Sequence, residues 1–227
     1  MAFLRNAYHK IQKELEPFNA SLVAVTKMRS TQDIMQAYDL GQRDFGENYV
    51  QELLEKHDTL PKDIRWHFIG HLQTNKVKHI APFIHLIHGV DSHNLLLEIN
   101  KQAKKMDRVI SCLLQVHISK EETKFGLSET EVNLLIHRFV TQPNELNGIQ
   151  LSGLMGMASF TEDNDLIISE FNKLKDLYHN YKASLSGINN PFAILSMGMS
   201  ADYRFAIEAG SNMVRIGSLL FGSRERA

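Results

Sequence analysis

Short apolar runs rich in β-branched residues alternate along the chain with longer stretches whose apolar positions recur every three or four residues. The short runs suit strands buried on both faces and the longer stretches suit amphipathic helices. Their alternation predicts βα units around a parallel sheet. The opening stretch Leu4–Glu16 reads as a helix, with Leu4, Ala7, Tyr8, Ile11 and Leu15 on one face, and Pro17 ends it because proline cannot extend the hydrogen-bond ladder. Strands are predicted at Leu22–Thr26, Asp44–Gly46, Trp66–Gly70, Leu86–Val90, Val109–Ile118, Gln150–Met155, Ala193–Ser196 and Met213–Ile216. Helical patterns fill the gaps at Thr31–Leu40, Tyr49–His57, Thr74–Ile80, Asn94–Lys105, Glu129–Val140, Asp165–Tyr181 and Ala201–Ala209, with a final turn from Leu219. Eight such units in 227 residues predict a single α/β domain over residues 1–227, a (β/α)8 barrel with an extra N-terminal helix. A doubly wound open sheet fits the same rhythm if one short strand is miscounted. Pro143–Asn147 and Gly187–Pro191 read as loops, not domain boundaries.

Composition narrows the class. Hydrophobic residues make up 43% of the chain and charged residues 22%, as in an ordinary globular protein with a substantial core. The 25 basic and 26 acidic residues leave a net charge of −1, which argues against a general nucleic-acid binder but leaves room for a local basic pocket. Cys112, the only cysteine, sits in the apolar run Val109–Val116 and reads as a buried structural thiol rather than a nucleophile. The start MAFLRNAYHK has no apolar signal-peptide region, and no apolar stretch approaches the roughly 18 residues of a membrane span, so a cytoplasmic protein is expected. No long apolar stripe is left over once the barrel is built, so a monomer is expected.

Reactive groups of such barrels project from the carboxyl ends of the strands. Lys27 directly follows the run Leu22–Thr26 and so sits at the mouth of the first strand. Desolvation there would expose a neutral amine able to attack a carbonyl. A lysine that snorkels to solvent fits the same position. Near the C-terminus, Gly198 allows a tight backbone approach and Ser200 can cap a helix starting at Ala201, while Gly217 and Ser218 follow the last strand. Each glycine–serine pair alone is an ordinary cap. Together they fall at the two strand ends where this fold usually holds phosphate. Arg215, beside the second pair, either joins a carboxylate in a structural network or faces the ring nitrogen of a ligand. His67 and His71 lie on a strand and its following turn without a third ligand, and His85 and His88 are no stronger, so no metal site is expected. Lys76 and Lys78, and Lys101, Lys104 and Lys105, read as solvated helix faces; Met155, Met157, Met197 and Met199 read as fillers of the barrel top and core.

The segments VAVTK (Val23–Lys27), FGENYVQE (Phe45–Glu52), WHFIGHLQTNK (Trp66–Lys76), VDS (Val90–Ser92), KFG (Lys124–Gly126), GLMGM (Gly153–Met157) and LSMGMSADYRFAIEAGSNMVRIGSLLFG (Leu195–Gly222) span nearly the whole chain in order. In them the chain resembles the pyridoxal 5′-phosphate (PLP) homeostasis protein family (YggS/PROSC type), related to the barrel domain of alanine racemase. The resemblance implies a PLP-binding barrel of fold type III without the second β domain. Lys27 matches the family's Schiff-base lysine; Ser200, Gly217 and Ser218 match its phosphate contacts; Arg215 matches the arginine beside the pyridine nitrogen; Asn48 and Met197 match residues lining the pocket. Where Ser218 stands the family carries threonine, and serine keeps the hydroxyl; Asn212 also replaces a common threonine. The implied role is a carrier and regulator of PLP with apo-enzymes as partners, lacking strong catalytic activity. With the sequence ending at Ala227, directly after the barrel, no second domain is expected to bring a tyrosine base opposite the lysine. Two other functions use the same residues. An amino-acid racemase or other small PLP enzyme needs a second acid–base group, for which Tyr203 or a histidine is the candidate. An aldolase-like barrel would use Lys27 on a sugar phosphate.

Overall fold

The apolar runs form parallel strands that close on themselves. In this computed structural model, which describes residues 3–121, 125–142, 144–186 and 191–222, the strands are β1 (Ser21–Val25), β2 (Asp44–Glu47), β3 (Arg65–Phe68), β4 (Leu86–Val90), β5 (Ile110–Val116), β6 (Ile149–Gly156), β7 (Ile194–Ser196) and β8 (Met213–Ile216). They pair in chain order, and β8 returns to β1. The architecture is the (β/α)8 barrel, not the open sheet. Lys124 of the KFG segment, Pro143, Gly187–Asn190 and the last residues up to Ala227 lie outside the described residues.

The helices follow the predicted gaps: α1 (Arg5–Leu15), α2 (Thr31–Asp39), α3 (Val50–Thr59), α4 (Val77–Ile80), α5 (His93–Lys105), α6 (Glu129–Thr141), α7 (Asn164–Ser184), α8 (Tyr203–Glu208) and α9 (Ser218–Phe221). Pro17 does not stop the helical path but tightens it. From Leu15 the chain passes into a 3₁₀ turn, Glu16–Phe18, whose opening positions need no proline N–H. Helix α1 packs on α9: the Leu4 N–H donates to the Leu220 carbonyl at 2.7 Å, and the Phe3 ring lies 5.4 Å from that of Phe221. No helix among the described residues is long and apolar enough to cross a membrane.

Strand alternation sorts side chains into two layers. Phe45, Trp66, Phe68, Cys112, Leu114, Leu154, Leu195, Met197 and Val214 point outward into the apolar layer under the helices. Burial raises the Cys112 thiol far above its ordinary pKa, as suits a structural residue. Val23, Leu86, Leu113, Met155 and Met213 form a smaller apolar cluster of their own. The remaining buried positions of that second register include His67, His88, Ser196 and Arg215, an unusually polar set for a barrel centre. One glycine is required by the closure. At Gly153 (φ 152°) the register of β5 against β6 shifts, and a Cβ there would lie 1.8 Å from the Ile194 carbonyl oxygen of β7.

Candidate functional site

The end of β1 sets the position of Lys27. Val23 and Val25 face the barrel axis side, so the two-residue period carries Lys27 to the mouth, while Thr26 turns outward toward α3. Beneath it lies a buried polar knot. The Thr26 hydroxyl donates to Glu47 Oε1 (2.6 Å), and Lys56 Nζ donates to the Thr26 carbonyl (2.7 Å), Glu47 Oε1 (2.7 Å) and Glu52 Oε1 (2.6 Å). Glu52 also accepts the Met28 N–H at 2.6 Å, fixing a left-handed residue (φ 59°) directly after the lysine. Burial raises the Glu47 pKa, and the attraction of Lys56 only partly opposes it. Sequence reading missed this knot; its one visible trace is the Glu52–Lys56 spacing on a helix face.

A cavity of about 530 Å³ opens at the carboxyl ends of the strands, and Lys27, Asn48, Ser200, Arg215, Gly217 and Ser218 all line it. Six of the seven residues singled out from the sequence therefore share one wall. The seventh does not: Met197 points outward from β7 into the layer under the helices, because Ser196 takes the inward position, and Met199 stands on the wall in its place. Ser200 departs from expectation too. Helix α8 starts at Tyr203, not Ala201, and the Ser200 hydroxyl accepts the Gly217 N–H at 3.3 Å, joining the loops after β7 and β8. Gly198 (φ 94°) makes the close approach, its carbonyl accepting the Arg215 N–H at 3.0 Å. Ser218 opens α9, where the first helical N–H groups have no partner within the helix. Asn48 Oδ1 is buried with no hydrogen-bond partner among the described residues.

Arg215 is held from below. Its NH1 donates to Ser196 Oγ (2.6 Å) and its NH2 to the Gly156 carbonyl (3.1 Å). Burial lowers its pKa to about 10, so it stays cationic at neutral pH. Asn212 clamps the neighbouring strand: its side chain accepts the Leu195 N–H (2.8 Å) and donates to the Ala193 carbonyl (2.7 Å), as a strand backbone would.

The histidines separate into different settings. His71 bonds Asp91 at 2.8 Å, away from His67. His67 instead meets His88 and Asp44, and ligand atoms of Asp44, His67 and His85 lie within 4.8 Å of one another. Arg65 occupies both carboxylate oxygens of Asp44 at 2.6 Å, so this cluster is an ion-pair terminus and not a cation site. Burial opposes ionisation of Asp44, but hydrogen bonds from Arg65 and His67 outweigh it and hold the carboxyl well below its usual range. Tyr203 is spent elsewhere. Its hydroxyl donates to Glu14, and burial followed by that carboxylate pushes its pKa up to about 12. It is not on the cavity wall, and neither is any histidine.

The geometry can be set beside known proteins. A family model described as "Alanine racemase, N-terminal domain" matches residues 2–225. The chain is 37% identical over 228 residues to a pyridoxal phosphate homeostasis protein of Aquifex aeolicus, covering 98% of this chain and 97% of that one. It is 36% identical over 233 residues to the protein of the same name from Homo sapiens, covering 98% and 83%. The structure of PipY from Synechococcus elongatus with PLP bound superposes with a TM-score of 0.85 at 29% identity, covering 96% of this chain and 99% of that one.

Proposed function

The chain belongs to the family of pyridoxal phosphate homeostasis proteins, built on the alanine racemase N-terminal domain, and from that footing we propose that it holds PLP as a Schiff base on Lys27 and serves intracellular vitamin B6 homeostasis as a carrier or regulator. The observation that carries this reading is the convergence of Lys27, Asn48, Ser200, Arg215, Gly217 and Ser218 on one cavity. PLP supplies a reactive aldehyde, a phosphate and a ring bearing a hydroxyl and a nitrogen. The residues present fit those groups. The amine of Lys27 is the nucleophile for the aldehyde. Ser200, Gly217 and Ser218 offer hydroxyl and backbone donors to an anion from two adjacent loops. A ring hydroxyl is the kind of donor that buried Asn48 Oδ1 lacks among the described residues. Arg215, always cationic, discourages protonation of a ring nitrogen beside it and so weakens the ring as an electron sink.

The carrier reading is preferred to an amino-acid racemase because two-sided proton transfer needs a second acid–base group facing the lysine. Tyr203, the sequence candidate, is bonded to Glu14. Borohydride reduction of the PLP-treated protein followed by peptide mapping tests the proposal. The pyridoxyl group is expected on Lys27, and Lys27→Ala is expected to abolish the visible absorption band. An adduct on another lysine, or none, overturns the assignment. Conversion of single L-amino acids to their D-forms at ordinary enzymatic rates overturns the carrier role.

A further inference from the structure

A line of hydrogen bonds crosses the barrel interior beneath the cavity. Arg215 NH1 meets Ser196 Oγ at 2.6 Å, Ser196 Oγ meets His88 Nδ1 at 3.3 Å, His88 Nε2 meets His67 Nδ1 at 2.9 Å, and His67 Nε2 meets Asp44 Oδ1 at 3.0 Å. The members come from β8, β7, β4, β3 and β2, and Arg65 closes the line at Asp44. His67, His88, Ser196 and Arg215 are all buried.

The two ends, together with the need to satisfy the Ser196 hydroxyl, fix the direction of every bond. Arginine only donates, and an ionised carboxylate only accepts. His67 therefore donates its Nε2–H to Asp44, and as a neutral ring it leaves Nδ1 to accept. His88 must then donate from Nε2 and accept at Nδ1, and Ser196 supplies the hydroxyl hydrogen it accepts. Each link presents a lone pair toward Arg215 and a hydrogen toward Asp44, so the aligned dipoles favour both end charges. The opposite arrangement begins with a doubly protonated His67. It would put two donors on Ser196 Oγ and leave the hydroxyl hydrogen without an acceptor among the described residues, where Arg215 and His88 are the partners of that oxygen. Burial above all, and the charge of Arg215 beside it, push the His88 pKa well below its ordinary value, which agrees with a neutral ring.

We infer that His88 is a positioning residue for Arg215: through Ser196, and backed by His67 and Asp44, it holds the guanidinium in place against the cavity. The consequence for PLP rests on the proposed binding of that cofactor; the directed line of bonds does not. The tautomers are read directly from nitrogen-15 NMR of histidine-labelled, PLP-free wild-type protein at neutral pH. His88 is expected to be protonated on Nε2 and bare on Nδ1; a proton on His88 Nδ1 overturns the inference whatever the cofactor does. The second arm compares His88→Leu, which removes both bonds, with His88→Gln, whose amide can again accept and donate. Titrated with PLP, His88→Leu is expected to bind about ten-fold or more weakly, with a displaced visible band, and His88→Gln within about three-fold of wild type. Wild-type affinity and spectrum in His88→Leu, or equal losses in both variants, overturn the positioning role. Should the wild type itself take up no PLP, the cofactor reading fails while the tautomer result still decides the inference.

Discussion

Lys56 shows how much one buried cation can hold together at the residue scale. It lies between Glu47 and Glu52 with its side chain 5% exposed, and Glu47 is fully enclosed. Replacing one partner of such a pair leaves the other as an uncompensated charge, so Lys56→Met is expected to destabilise the fold by about 3–5 kcal/mol. Urea denaturation measures this, and adding Glu47→Leu should restore much of the loss because the stranded carboxylate is then gone. Asp44 carries a pH signature. Its folded-state pKa lies below the ordinary 3.8, so its contribution to stability is present above that value and is lost as pH falls toward the folded-state pKa. Asp44→Asn is expected to cost stability at neutral pH and to flatten the acid side of the stability profile, as thermal melts across a pH series would show. That Lys27, Ser200 and Ser218 would meet at one cavity was legible in the sequence because each comes shortly after an apolar run at a strand's carboxyl end. The Thr26–Glu47–Lys56 knot was not, since a buried lysine on a helix reads as a solvated one until the packing beside it is known.

The strands at the scale of elements were legible from their apolar runs, and β4 and β8 have the predicted limits. Errors gathered at the ends, where side-chain bonds outcompete pattern. The Ser200 hydroxyl turns to Gly217 instead of capping α8, a partner 17 positions away that local sequence cannot announce. Asn212, to which the sequence assigned no role, proves to serve as a piece of strand for Ala193 and Leu195. The loops after β7 and β8 act as a pair, which sets the prediction for this scale. Ser200→Ala combined with Ser218→Ala is expected to weaken PLP retention by about ten-fold or more while leaving the unliganded melting temperature nearly unchanged, because hydrogen bonds to a charged group are worth about 1.5–3 kcal/mol each. Equilibrium titration by fluorescence and a thermal melt of the free protein test both halves.

Taken as a whole molecule, the closed barrel followed from the rhythm of the chain, whereas the polar axis through its centre did not. His67 and His88 sit in strands that pattern marks only as apolar, and nothing local shows that both rings turn inward and meet. The apolar positions fix where a strand lies; which polar residues may share its interior depends on partners brought from four other strands. The apolar filling of the smaller cluster is thereby interrupted by a chain of polar groups that must all be matched, since any one left unpaired in that setting is costly. Helix α1 adds a brace on the outside, tied through Leu4 to α9, the element that begins with Ser218.

Closure of the barrel is uneven. Between β7 and β8 the ladder has a single register pair, Ser196 with Met213, and beside the backbone bonds from Asn212 to Leu195 and from Arg215 to Gly198 the side chains of Ser211 and Asn212 add further stitching. The hoop thus has one thin seam, with Ser200 on one lip and Ser218 on the other. A ligand gripping both lips would act as a rivet across it. In hydrogen–deuterium exchange, saturating PLP should slow the amides of Asn212 and Arg215, which donate across this seam, far more than those between β5 and β6. Equal slowing around the ring would mean that the rivet is not there.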